Sequence, residues 1–384
     1  MLYFSNSKDY PLKLRIEGAA DPFTPSWGLD VWKVLCRHIH RSKELIMAMD
    51  NQSDIVDLPP PQRLGFSNLG SYCEETAPPC YSSWFWQAIK EAPRLVNIST
   101  FHPYPILRFS QLTTWEVLSF EGSRDMDIFL DNARSCRFLS SLTLSSIWSS
   151  GGDSTVAARE VKLPSLRRLS VLACYDELDV LSTILHSLDM PALESCSVRY
   201  EERALPSGLL AMVRRCSTTL KRIAFSSRVP LLFDLVQAAS ELTHFQLYLG
   251  SSPFADSTAT VCDSEDGRRC RPIVDDMLST LLLKLRDDPH PFPSNLDFLS
   301  LILPYFTQHT TSGAHVGGVV GKTANSSSLK EFHTAFLWVG REGNEDVIGP
   351  ELLERIRVLE KSGIRVVEEN EDYKRQQWSL ILKN

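Results

Sequence analysis

Residues 139–144, 166–171, 193–198 and 220–225 read LSSLTL, LRRLSV, LESCSV and LKRIAF, four copies of one frame. The frame is a leucine, two variable residues, an apolar residue, one variable residue and a second apolar residue. Its leucines, Leu139, Leu166, Leu193 and Leu220, lie 27 residues apart at every step. Internal periods of about 20 to 50 residues mark stacked repeats, and they take precedence over a division into domains. LTHFQL from Leu242 and LDFLSL from Leu296 continue the frame, with 54 residues, two periods, between them. Fainter copies are LVNIST from Leu95, WEVLSF from Trp115, LKEFHT from Leu329 and GIRVVE from Gly363, with PLKLRI and KELIMA near the start.

Within each copy apolar and polar residues alternate, the period of a strand with one buried face. Between copies lie stretches with apolar residues three and four apart: 178–189, 206–217, 229–240 and 274–288. Leu178, Leu181, Leu185 and Leu188 form such a stripe. A strand and helix unit of this size can bury its apolar faces only against copies of itself. The expected fold is therefore α/β, a solenoid or horseshoe with parallel strands on the concave face and helices on the convex face. Residues 1–90 are expected to be degenerate repeats or a cap, and residues 91–384 the repeat domain, with loop insertions near 250–273 and 307–328.

This pattern resembles the leucine-rich repeat. LRRLSVLAC supplies Leu166, Leu169, Val171 and Cys174 in the L-x-x-L-x-L-x-x-[NC] frame. The ninth position is Ile147, Glu201 and Arg228 in neighbouring copies, so the buried polar ladder of a regular array is mostly missing. The order of segments narrows the likeness. SNSKDYPLKLRIEG, LDVWKVLCRHIHRSKELIMAM, WFWQAIKEAPRLVNIS, LRFSQLTTWEVLSF, VKLPSLRRLSV and MPALESCSV resemble the region after the F-box in fungal F-box proteins with leucine-rich repeats. The resemblance implies a non-catalytic protein-binding domain, the substrate-recognition part of a cullin-type ubiquitin ligase subunit. No F-box is visible in these residues, so docking of the ligase linker subunit is expected only if one is encoded upstream. The alternative is a stand-alone leucine-rich scaffold, and a distant third is a cryptic hydrolase.

Composition limits the partners. The formal charge of −7, from 47 acidic and 40 basic residues spread along the chain, offers no concentrated basic field for nucleic acid. No apolar stretch approaches the roughly 20 residues of a membrane span, and no secretory signal opens the chain. Nine scattered cysteines without a C-x-x-C pair suit reduced thiols. A cytoplasmic or nuclear protein is expected.

In the solenoid reading, the variable strand positions face the concave surface. Arg168, Arg199, Arg222, His244 and Tyr248 then form a basic and aromatic strip, the residue types enriched at interface hot spots. A partner with an acidic or phosphorylated segment is a conceivable match. Other motifs weigh less. Cys36, His38 and His40 lack a fourth metal ligand. Trp84 and Trp86 of WFWQAI suit core packing better than recognition. HVGGVVGKT at 315–323 has Val316 where a phosphate loop needs glycine, and ANSSS follows instead of a helix, so a loop between repeats is expected. Neither G-x-S-x-G nor H-E-x-x-H occurs. No catalytic residue, metal or cofactor is expected.

Overall fold

A computed structural model describes residues 10–18, 37–49, 65–75, 83–103, 109–148, 159–173, 178–199, 207–226, 232–248, 295–305, 331–338 and 365–369. The chain is α/β, built on parallel strands with few helices. It divides into two compact units, residues 1–172 with 186–191, and residues 173–185 with 192–384.

The first unit contains β1 (Leu12–Gly18), β2 (Ser42–Met49), β3 (Ser71–Glu74), β4 (Asn97–Thr100), β5 (Thr114–Val117), β6 (Phe120–Glu121), β7 (Ser141–Trp148) and β9 (Arg168–Ala173). Their order is β1-β2-β3-β4-β5-β7-β9, with β6 also on β7. The pairs from β1 to β7 are parallel. Strands β3 and β4 lie on either side of residue 90, so the N-terminal residues enter the same sheet as those that follow. Two short strands, β8 (Val161–Lys162) and β10 (Leu188–Asp189), pair separately. Among the described residues this unit also has the α-helices α1 (Ser83–Lys90) and α2 (Gly122–Ala133).

The second unit has β11 (Ser195–Arg199), β12 (Arg222–Ser226), β13 (His244–Tyr248), β14 (Phe298–Tyr305), β15 (Glu331–Trp338) and β16 (Arg365–Glu369), each parallel to the next. Helices α3 (Leu178–Ser187), α4 (Ser207–Arg215) and α5 (Leu232–Ala238) fall where the three-and-four spacing placed them. The stretch 274–288 and both expected insertions lie outside the described residues.

The 27-residue frame has a physical basis visible in the backbone. Every described frame leucine, Leu69, Leu95, Leu112, Leu139, Leu166, Leu193, Leu220, Leu242 and Leu296, is buried. The carbonyl after the leucine then accepts two N–H groups from the following copy. Gly70 O takes Val96 and Asn97, Val96 O takes Thr113 and Thr114, Thr113 O takes Ser140 and Ser141, and Ser140 O takes Arg167 and Arg168, at 2.8 to 3.1 Å. Glu194 O and Lys221 O do the same in the second unit. Each copy thus satisfies the backbone of its neighbour, as buried amides require.

Two of the fainter copies are framed differently from the sequence expectation. Leu112, Trp115 and Val117 are buried while Leu118 is half-buried, so that copy starts at Leu112, three residues before Trp115. In β2, Leu45 and Met47 are buried while Ile46 and Ala48 face the other way, one residue out of phase with KELIMA. A slip of one residue exchanges the two faces of a strand. A further copy, LGSYCE from Leu69, is masked in the sequence because Glu74 holds its last apolar position.

Large rings fill the first unit's core. Phe85 lies edge-on to Phe66 at 5.8 Å, and Trp115 packs on Phe129 at 5.2 Å. Phe85 and Trp86 of the WFWQAI run are buried in this core, and Trp84 is half-buried. No helix among the described residues is long and apolar enough to cross a membrane.

Candidate functional site

The alternation in each strand leaves one face apolar and packed, and sets the other apart. On β3, β4, β5 and β7 that second face carries Ser71, Cys73, Asn97, Ser99, Thr114, Glu116, Ser141, Thr143 and Ser145. Ser99 is buried between its neighbours and the rest are half-buried or exposed. Short polar side chains on adjacent parallel strands make a shallow surface rich in hydroxyls. Arg168 extends it on β9, half-buried, with its N–H on Ser140 O at 3.0 Å.

In the second unit, the register separates the residues that the sequence placed in one strip. Arg222 stands directly opposite His244, both exposed, at the start of β12 and β13. Thr243 Oγ1 and His244 Nδ1 share a hydrogen bond of 2.9 Å. Arg199 instead pairs with Ser226, which pairs with Tyr248. Those positions lie four residues further along the strands, about 13 Å at roughly 3.3 Å per residue. The strip is therefore two rows: Arg222 with His244 at one end, Arg199 with the backbone of Tyr248 at the other. Between them runs a buried row of Ser197, Ala224 and Gln246.

A polar cluster that sequence reasoning missed sits at the carboxyl ends of β3, β4 and β5. Glu74 is 0% exposed. It accepts hydrogen bonds from Tyr72 Oη at 2.9 Å and from the N–H of Phe101 at 3.0 Å. Next in the chain, His102 Nδ1 lies 3.2 Å from Asp125 Oδ2, and that oxygen also accepts the Glu121 N–H at 2.9 Å. Asp125 thereby fixes the start of α2 and orients the ring of His102. Glu121 stands opposite Trp148, whose Nε1 donates to Ser119 Oγ at 2.9 Å. A histidine oriented by a carboxylate is half of a proton-transfer unit. Among the described residues, no hydroxyl or thiol bonds its Nε2. The only sequence signal for this cluster is polarity, Glu74 and Thr100, at positions the frame reserves for apolar residues.

The described thiols Cys73, Cys136 and Cys196 are poorly suited to nucleophilic chemistry. Burial pushes Cys136 up to about 12 and raises Cys196 as well, Cys216 adding to the latter. Reactive cysteines have lowered values, which favour the thiolate. His38 is lowered, by burial and by Arg41 and Arg37. No group of three or more metal-ligating side chains forms among the described residues, and Cys36 lies outside them. The 315–323 loop also lies outside the described residues. No family model matches the chain, and no curated protein matches it.

Proposed function

We propose that the chain is a leucine-rich-repeat solenoid of the horseshoe type that binds a protein partner on the polar face of its strands. It would serve as the substrate-recognition part of an F-box ubiquitin ligase subunit, the family its segments resemble. One observation carries this reading: adjacent parallel strands bury one apolar face and leave the opposite face lined by short polar side chains. Such a face is rigid because its backbone hydrogen bonds are made within the sheet, so little ordering cost opposes binding. The arginines supply the residue type that dominates binding energy when buried by a partner.

The test is quantitative capture of partners by the intact gene product. Arg168→Glu in the first unit is combined with Arg199→Glu and Arg222→Glu in the second. The expected result is loss of at least one partner with an unchanged circular dichroism spectrum. Unchanged capture removes the arginines from the interface. Co-purification of the ligase linker subunit with the product of the complete gene separates a ligase subunit from a stand-alone scaffold.

A further inference from the structure

On the polar face of the first unit the charged groups of β1 and β2, and Glu75 just past β3, neutralise one another. Lys13 Nζ lies 2.7 Å from Glu44 Oε2. Arg15 donates from Nη1 and Nη2 to the two carboxylate oxygens of Glu75, each at 2.6 Å, and also holds Glu17. Arg168 on β9 has an interaction of its own. The carboxylate of Glu116, in the middle of β5, makes no hydrogen bond or ion pair among the described residues. It is half-buried, between Ser99 on β4 and Thr143 on β7.

The surroundings of Glu116 are electronegative. The Cys73 thiol, beyond Ser99 in the same row, is raised first by burial and further by the charges of Glu116, Glu75 and Glu74. Among the described residues, no cation pairs with Glu116. The described residues around it, Asn97, Ser99, Thr114, Ser141 and Thr143, are short. An unmatched carboxylate on a binding face is complementary to a cation, and arginine can take both of its oxygens at once.

We propose that Glu116 receives a lysine or arginine side chain from an extended segment of the bound protein lying across β4, β5 and β7. This inference rests on the polar face being the binding surface. It is tested with pools of short fluorescent peptides, alike except for a central Arg, Lys, Gln or Glu, titrated into the full chain by fluorescence anisotropy. The Arg and Lys pools are expected to bind about tenfold more tightly than the Gln pool, and Glu116→Gln to erase that preference. Its thermal midpoint should stay unchanged, because the carboxylate has no partner among the described residues to lose. A lowered midpoint, equal affinities across the pools, no binding by any pool, or a preference that survives Glu116→Gln overturns the assignment. Ser141→Trp, which obstructs the face without altering charge, separates the two readings. If it abolishes binding that shows no charge preference, the face remains the binding surface and only the role of Glu116 falls. If peptides bind equally well to it, both readings fall.

Discussion

Tyr72→Phe removes one oxygen atom from the core and nothing else. The ring stays, with its contacts to Phe85 at 6.2 Å and Trp86 at 6.1 Å. What disappears is the 2.9 Å hydrogen bond to Glu74 Oε1. Both residues are 0% exposed, so solvent does not replace the lost donor. Leaving a buried acceptor one bond short costs about 1 to 3 kcal/mol. With a urea dependence of about 2 kcal/mol per molar, a loss of about 2 kcal/mol lowers the midpoint by about 1 M. Because the chain has two compact units, the assay needs a local probe beside the global one. Hydrogen exchange read on peptides covering residues 71–75 and 97–103 supplies it. Opening is expected to become easier there, while residues 207–226 in the other unit are unaffected. A midpoint shift corresponding to less than about 0.5 kcal/mol, with unchanged exchange, would refute the claim that the Glu74 carboxyl depends on Tyr72.

Replacing Leu169 or Val198 by alanine opens a cavity behind a strand; both are nearly fully buried, and the urea midpoint should fall by an amount worth roughly 2 to 4 kcal/mol. Cys136 adds a pH dependence of definite sign. Its folded value is pushed up to about 12 from an ordinary 9.0, so the folded state holds its proton where the unfolded state has released it. That contribution is complete below about pH 9 and is lost as the pH rises toward about 12. The urea midpoint should therefore fall between pH 8 and pH 10.5 more steeply for the natural chain than for Cys136→Ala, and parallel profiles would contradict it.

The regular part of the fold was legible because its signal is covalent. Leu139, Leu166, Leu193 and Leu220 are each buried just ahead of a strand, and a constant spacing shows in residue order. The faint copies misled for an equally physical reason. In QLTTWEVLSF, Leu112 and Trp115 can each begin an apolar frame. Only packing shows that Trp115 and Val117 point inward with Leu112, which turns Glu116 to the open face in place of Val117. At SKELIMAM the last five residues, LIMAM, are all apolar, so alternation could not set the phase. In LGSYCE the buried position is held by a carboxyl, which hydrophobic patterning excludes by construction.

The sequence by itself determined the repeated frame, the parallel class of its strands, and where α3, α4 and α5 lie, because periodic burial is written locally in residue order. Register was settled only in three dimensions. It set Arg222 beside His244, moved Arg199 and Tyr248 to the other end of their strands, joined His102 to Asp125 across 23 positions, and left Glu116 without a countercharge among the described residues. Those relations depend on which backbone groups pair between strands, and hydrogen bonds between distant segments leave no trace in composition or spacing.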